Sequence, residues 1–238
     1  MPRASKLATE SVNVVEIDND WDLLLEKIAD RSRRHTERKQ DRSKRTEQQI
    51  LTAALRVFSR DGISRSRIAD IAAESGISTS TLYEYYKSKE DLAYDLPLKN
   101  LSAFFESYRN ALTGEESARE RLIIYLTMSA DYAREHADWA RLFYLEIWPS
   151  VLVVDTELQT SINDFARPVL KLLEEGIAEG WVSPKQDIYE TAALIIGGSN
   201  QLIITWLLYR KPKNLTKAGS EMAERMVRLL EAETKIDI

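Results

Sequence analysis

Residues Arg67 to Leu92, RIADIAAESGISTSTLYEYYKSKEDL, admit few backbone arrangements. Ile68, Ile71 and Ala72 fall at i, i+3 and i+4, the spacing of one apolar helix face. Ser66, just before them, carries the hydroxyl expected of an N-cap. Gly76 stands where such a helix must stop in the left-handed region, which glycine enters without a Cβ clash. Ile77 then turns back toward the core and Ser78 caps a second short helix, in which Leu82 and Tyr86 share the inward face. Thr79, Ser80, Tyr83, Glu84 and Tyr85 are left outward, with Thr81 near the edge. Ser88 and Asp91 have the cap and third-position spacing of a further helix start.

Two short helices around a glycine corner make a helix-turn-helix when the second presents polar side chains to a major groove. An ordinary helical domain can share that spacing. The outward hydroxyls and tyrosines, with Lys87 and Lys89 beyond them, favour DNA. Upstream, Thr46 and Gln49 have capping-box spacing, and Ile50, Leu51, Ala54, Leu55 and Phe58 form a broad apolar stripe. Asp61-Gly62 supplies the stop, so three helices sharing one apolar side define a unit from 44 to 92.

Charge is divided along the chain. Between Arg31 and Lys89 there are 14 Lys or Arg against 7 Asp or Glu, whereas the whole chain carries −5. A basic head on an acidic body attracts phosphate at one end and discourages it elsewhere. Residues 1–43 form an N-terminal extension. Its first 19 residues show little periodicity, Trp21, Leu24, Leu25 and Ile28 predict an amphipathic helix over 20–30, and Arg31 to Arg45 is strongly basic. That run reads either as an arm reaching phosphate or a minor groove, or as a solvated linker.

Several chemistries are excluded. The chain has no cysteine, and its only histidines are His35 and His136, so no thiol, zinc or other metal site and no cofactor is expected. Neither a glycine-rich phosphate loop nor a G-x-S-x-G elbow is present, so an enzyme is not expected. Val12 to Ile17 is too short and interrupted for a secretion signal, and the expected location is the cytoplasm. Thr191 to Tyr209 is uncharged and nearly long enough to span a bilayer, but Gly197 to Gln201 puts a polar block at its centre. A helix buried within a dimer is the reading preferred to a membrane span.

From 93 to 238 the pattern is helical throughout, with helices expected near 89–112, 117–136, 138–149, 156–179, 187–209 and 216–233. Pro97 falls inside the first of these and can kink it. The helix at 187–209 is apolar almost all round, which predicts an interface with a second copy. Leu194, Gly197, Gly198, Gln201 and Thr205 on it, with Met222, Met226 and Leu229 on the last helix, are the expected contact residues. Aromatic and methionine side chains gather in the middle helices. Phe104, Tyr108, Tyr125, Met128, Tyr132, Trp139, Phe143 and Phe165, with the amide of Asn200, are candidates for lining a pocket for a mainly apolar or aromatic molecule. Plain core is the competing reading for any one of them.

The segment GISTSTLYEYYKSKEDL resembles the DNA-binding signature of the tetracycline-repressor (TetR) family, and RTEQQILTAALRVFSRDGI and SRIADIAAESG resemble that family's first two helices. The resemblance implies an all-α fold, with an N-terminal three-helix helix-turn-helix domain joined to a C-terminal helical domain for effector binding and dimerisation. It also implies a homodimer, closed by a four-helix interface, on a palindromic double-stranded operator. The expected activity is repression released by a small, mainly apolar effector. A constitutive or protein-controlled DNA-binding regulator, and a helical ligand-binding protein that no longer reads DNA, stay open as alternatives. The expected DNA-binding residues are Lys44, Arg45, Thr46, Ser66, Arg67, Ser78, Thr79, Ser80, Thr81, Tyr83, Tyr85 and Lys89. Thr81 matches the family's phosphate-contacting threonine, Lys89 would hold a phosphate at the start of the connecting helix, and Arg67 stands where the family more often has threonine.

Overall fold

The computed structural model describes residues 41–114, 116–151 and 166–236, and every regular element among them is helical. The expected helix at 20–30, most of the basic run, Phe165 and the first part of the helix expected at 156–179 lie outside the described residues.

The head begins with α1 (Asp41–Asp61), followed by α2 (Ile68–Ser75) and α3 (Thr79–Tyr85). Helix α1 starts before Thr46, so the capping role expected of that residue is corrected: Thr46 lies inside the helix. The glycine corner forms as its residues dictate. Gly76 ends α2 at φ 69° and ψ 18°, and its N–H and that of Ile77 turn back onto carbonyls of the last turn of α2. Ser78 opens α3, its Oγ accepting from the Thr81 amide at 3.1 Å. Ile50, Val57, Phe58, Ile71 and Leu82 are wholly buried between the three helices. Each such side chain contributes about 1.5–3 kcal/mol through burial.

Helix α4 (Lys89–Ala111) leaves the head for the body, capped by Ser88, whose Oγ accepts from the Asp91 amide at 3.0 Å. It runs unbroken through the buried Pro97. The body then comprises α5 (Ala118–Glu135), α6 (Ala137–Leu142), a wide π-helical turn (Phe143–Ile147), α7 (Trp148–Val151), α8 (Arg167–Glu179), α9 (Ile188–Tyr209) and α10 (Leu215–Ile236). Caps again come from short polar side chains: Ser117 with Glu120 at α5, Asp187 at α9 and Asn214 at α10.

The most extensive helix pairing joins α5 to α10, where a Cβ on Gly219 would lie 2.5 Å from that of Ala130. Two apolar clusters result. The cluster under the head is continuous with Trp139, Phe143, Tyr144 and Ile147 of the body and with Ile203 and Leu207 of α9. The other, around Phe104, Tyr108, Tyr125, Leu172 and Val227, fills the far end of the body. Helix α9 has the length and composition of a membrane-crossing helix. It buries Ala192, Ile195, Ser199, Ile203 and Leu207 against its neighbours and leaves Leu194 70% and Leu208 51% exposed.

Candidate nucleic-acid interface

Helix α3 is anchored by burial of Leu82 and Tyr86, and this anchorage turns its polar side outward. Ser78, Thr79, Ser80 and Glu84 are exposed, as is Tyr83 at 53%; Thr81 is half-buried. The hydroxyls of Ser80 and Thr81 each lie 2.9 Å from Ser78 Oγ, so the start of the helix carries a connected hydroxyl cluster. Tyr85 is half-buried and packs against the head core, so Tyr83 is the more projecting ring.

At the start of α2 the expectation for Ser66 is corrected. Arg67 is the N-cap residue, and the Asp70 carboxylate accepts from its backbone amide at 3.1 Å. Ser66 is buried, and its hydroxyl donates to the Gly62 carbonyl. The Arg67 side chain is 78% exposed and also bonds Asp70, at 2.9 Å. That hydrogen bond to Arg67 holds the Asp70 carboxyl below its ordinary value.

Lys44 and Arg45 are exposed near the start of α1, with Thr46 half-buried beside them. Lys89, half-buried at the start of α4, is tied to the α1–α2 loop. Its ammonium donates to the carbonyls of Ile63 at 2.8 Å, Ser64 at 2.9 Å and Ser66 at 3.0 Å. An ammonium has three donors, and all three are directed at the α1–α2 loop. A phosphate at Lys89 would have to displace these bonds.

One group of residues escaped sequence reasoning. The Tyr86 hydroxyl donates to Asp95 Oδ2 at 2.8 Å, and Lys99 pairs with Asp95 at 3.2 Å and with Glu47 at 2.7 Å. This network ties α1, the end of α3 and α4 together beneath the recognition face. Burial, followed by the Asp95 charge, pushes the Tyr86 hydroxyl well above its ordinary range. Its one sequence signal is an acid among Leu92, Ala93 and Leu96 on the buried side of α4.

In the body, the pocket candidates form a connected series of rings. Phe104 meets Tyr125 at 5.5 Å and Tyr132 at 5.4 Å, Tyr132 meets Trp139 at 5.3 Å, and Trp139 stacks on Phe143 at 5.2 Å. Tyr108 meets Tyr125 at 5.3 Å and donates to the Arg121 carbonyl at 3.2 Å. Met128 packs beside the far cluster, and Asn200 is half-buried on α9. Of the contact residues expected on the last two helices, Leu194, Gly197, Gln201 and Leu229 are exposed, while Gly198, Thr205, Met222 and Met226 are half-buried. Gly198 is covered from within the chain, because Met226 Cε lies 2.6 Å from where its Cβ would stand; Gly197 faces open space.

Comparison with known proteins bears on this arrangement. The family model described as bacterial regulatory proteins of the tetR family matches residues 50–96, and that for the C-terminal region of YsiA-like proteins matches residues 98–230. The fatty acid metabolism regulator protein of Bacillus subtilis is 26% identical over 183 residues, covering 75% of this chain and 92% of its own. The fold is shared with the fatty acid degradation regulator FadR from Bacillus halodurans, at a TM-score of 0.71, 20% identity and coverage of 80% of this chain and 97% of the other. It is shared also with FadR from Bacillus subtilis, whose structure holds stearoyl-CoA, at a TM-score of 0.68, 23% identity and coverage of 76% and 97%. The helix-turn-helix head, the all-helical body and these matches together establish that the chain belongs to the TetR family of DNA-binding bacterial transcription regulators.

Proposed function

We propose that the chain is a one-component repressor that binds a palindromic operator as a homodimer and is released by a small, mainly apolar effector. The division into an N-terminal extension (1–43), a reader (44–92) and an effector-binding and dimerisation body (93–238) belongs to this reading. The observation that carries it is the exposed hydroxyl and tyrosine face of α3, set on the buried Leu82 and Tyr86. Thr79, Ser80 and Tyr83 would meet base edges and phosphates in the major groove, with Tyr85 at the margin. Ser78, Thr81, Arg67, Lys44, Arg45 and Thr46 would position the head on the backbone. Two copies place their recognition helices about 34–36 Å apart, one turn of duplex. The exposed Leu194, Gly197, Gln201 and Leu229 support pairing through α9 and α10.

For the effector, the aromatic interior of the body suits a long acyl chain, and a regulator of the same fold holds stearoyl-CoA. A second reading, a regulator with no effector, is favoured by the near-complete burial of Phe104, Tyr108 and Tyr125 among one another. Selection of duplexes from a random pool by the purified chain tests the DNA reading, and absence of any preferred duplex at moderate salt would reject it. Titration of the selected complex with stearoyl-CoA separates the two effector readings: release supports the first, retention the second.

A further inference from the structure

We infer that Glu146 is a positioning residue for the DNA reader: its carboxylate latches the α1–α2 loop of the head onto the body. The inference rests on the regulator reading above and adds a named contact through which the body sets the head. Glu146 Oε2 accepts the Ile63 backbone N–H at 2.7 Å, across 83 residues of sequence. Its Oε1 would lie 2.9 Å from a Cβ on Gly62, whose φ is 79°. Any residue but glycine at 62 would be strained and would crowd the carboxylate.

Lys89 holds the same loop from the other side, through the carbonyls of Ile63, Ser64 and Ser66. Ile63 therefore offers its N–H to the body and its C=O to the connecting helix. Four residues later the chain reaches Arg67, the first residue of the α2 cap. A shift of this loop moves the start of α2 relative to α4, and with it the frame on which α3 is mounted.

Glu146 stands on the π-helical turn Phe143–Ile147, in which the Trp148 amide bonds the Phe143 carbonyl five residues back. Pro149 has no amide to give the preceding turn and crowds the carbonyl of Leu145, which favours opening of the helix at this point. Wide turns of this kind are rare and recur at functional sites. Tightening the turn by one residue would rotate Glu146 by about 100° about the axis and carry its carboxylate off the loop. The turn is also wired to the body interior, because Phe143 at its start stacks on Trp139, which meets Tyr132. Rearrangement of those rings displaces the segment that bears the latch.

The test compares the full-length wild type with Glu146→Ala and Glu146→Gln by residue-resolved amide exchange without DNA, and by affinity for the duplex the wild type selects. Loss of a charge-assisted bond should raise exchange at Ile63 about tenfold or more in Glu146→Ala. The amides of Val57 and Phe58 should keep their rates. Glu146→Gln retains an acceptor and should fall between. Operator affinity should weaken about tenfold in the alanine variant and recover in large part with glutamine, in the order of Ile63 exchange and not of melting temperature. Unchanged exchange at Ile63 would overturn the latch, and raised exchange with unchanged affinity would overturn its positioning role. If the wild type selects no duplex, the regulator reading and the positioning role fail together, while the exchange result still reports on the contact itself.

Discussion

The Tyr86 hydroxyl donates to the buried carboxylate of Asp95 at 2.8 Å, so the residue that ends the recognition helix is bound to the helix that leaves the head. Asp95 Oδ2 also receives Lys99, whereas its Oδ1 is buried with no hydrogen-bond partner among the described residues. Removing the phenolic donor leaves this carboxylate with less compensation for its burial. Tyr86→Phe should therefore lower unfolding free energy by about 1.5–3 kcal/mol, as for a bond to a charged group. Chemical denaturation reads this directly. A change within a few tenths of a kcal/mol of wild type would show that the network contributes little.

Lys89 makes the second prediction, because two roles for it give different signatures. As a clamp on the carbonyls of Ile63, Ser64 and Ser66, it acts within the head. Lys89→Ala should then destabilise the protein by about 1–3 kcal/mol by leaving those carbonyls without their donor. The salt dependence of operator binding should keep its slope. A lysine that instead neutralises a phosphate lowers that slope by about 0.9 when removed, with little effect on melting. Titration of the selected duplex at several salt concentrations, beside a thermal melt, tells the two apart.

What the sequence made legible was local. The Gly76 corner and the Ser78 and Ser88 caps each depend on three or four consecutive residues, and all three form as read. Failures came where a local pattern had a competitor or no partner nearby. At the start of α2, the Asp70 carboxylate takes the Arg67 amide, and Ser66 turns inward to Gly62. The opening turn of α1 carries no apolar stripe, so its periodicity could not show the helix beginning at Asp41. Contacts such as Asp95 with Tyr86, or Glu146 with Ile63, join separate elements and leave no periodic trace.

Glu116 provides a pH-dependent prediction at the loop between α4 and α5. Its carboxylate accepts from the Thr113 amide and hydroxyl and from the Gly114 amide. These bonds, with the Thr113 amide first, lower its pKa from 4.5 to about 2. A depressed folded value stabilises the folded chain above the ordinary pKa, and the contribution fades as pH falls through the folded one. The melting temperature of Glu116→Gln should lie below that of wild type near neutrality. The gap should close as pH is lowered from 4.5 toward about 2. A gap independent of pH would assign the effect to packing instead.

The exposed side of α9 gives the last prediction. Leu194 is 70% exposed, Leu208 is 51% exposed, and Gly197 between them meets nothing within 4 Å. On the last helix Leu229 is 59% exposed, so both helices present apolar side chains to solvent in a single copy. Burial of such side chains in a dimer is worth about 1.5–3 kcal/mol each. A charge at the same place in such an interface would have to be desolvated. Leu194→Asp should therefore convert the dimer to monomer in analytical ultracentrifugation while leaving the head folded. Operator affinity should then fall at least a hundredfold, because one head alone loses the effective concentration that a linked second head supplies. Dimers that persist in Leu194→Asp with full operator affinity would place the interface elsewhere on the body.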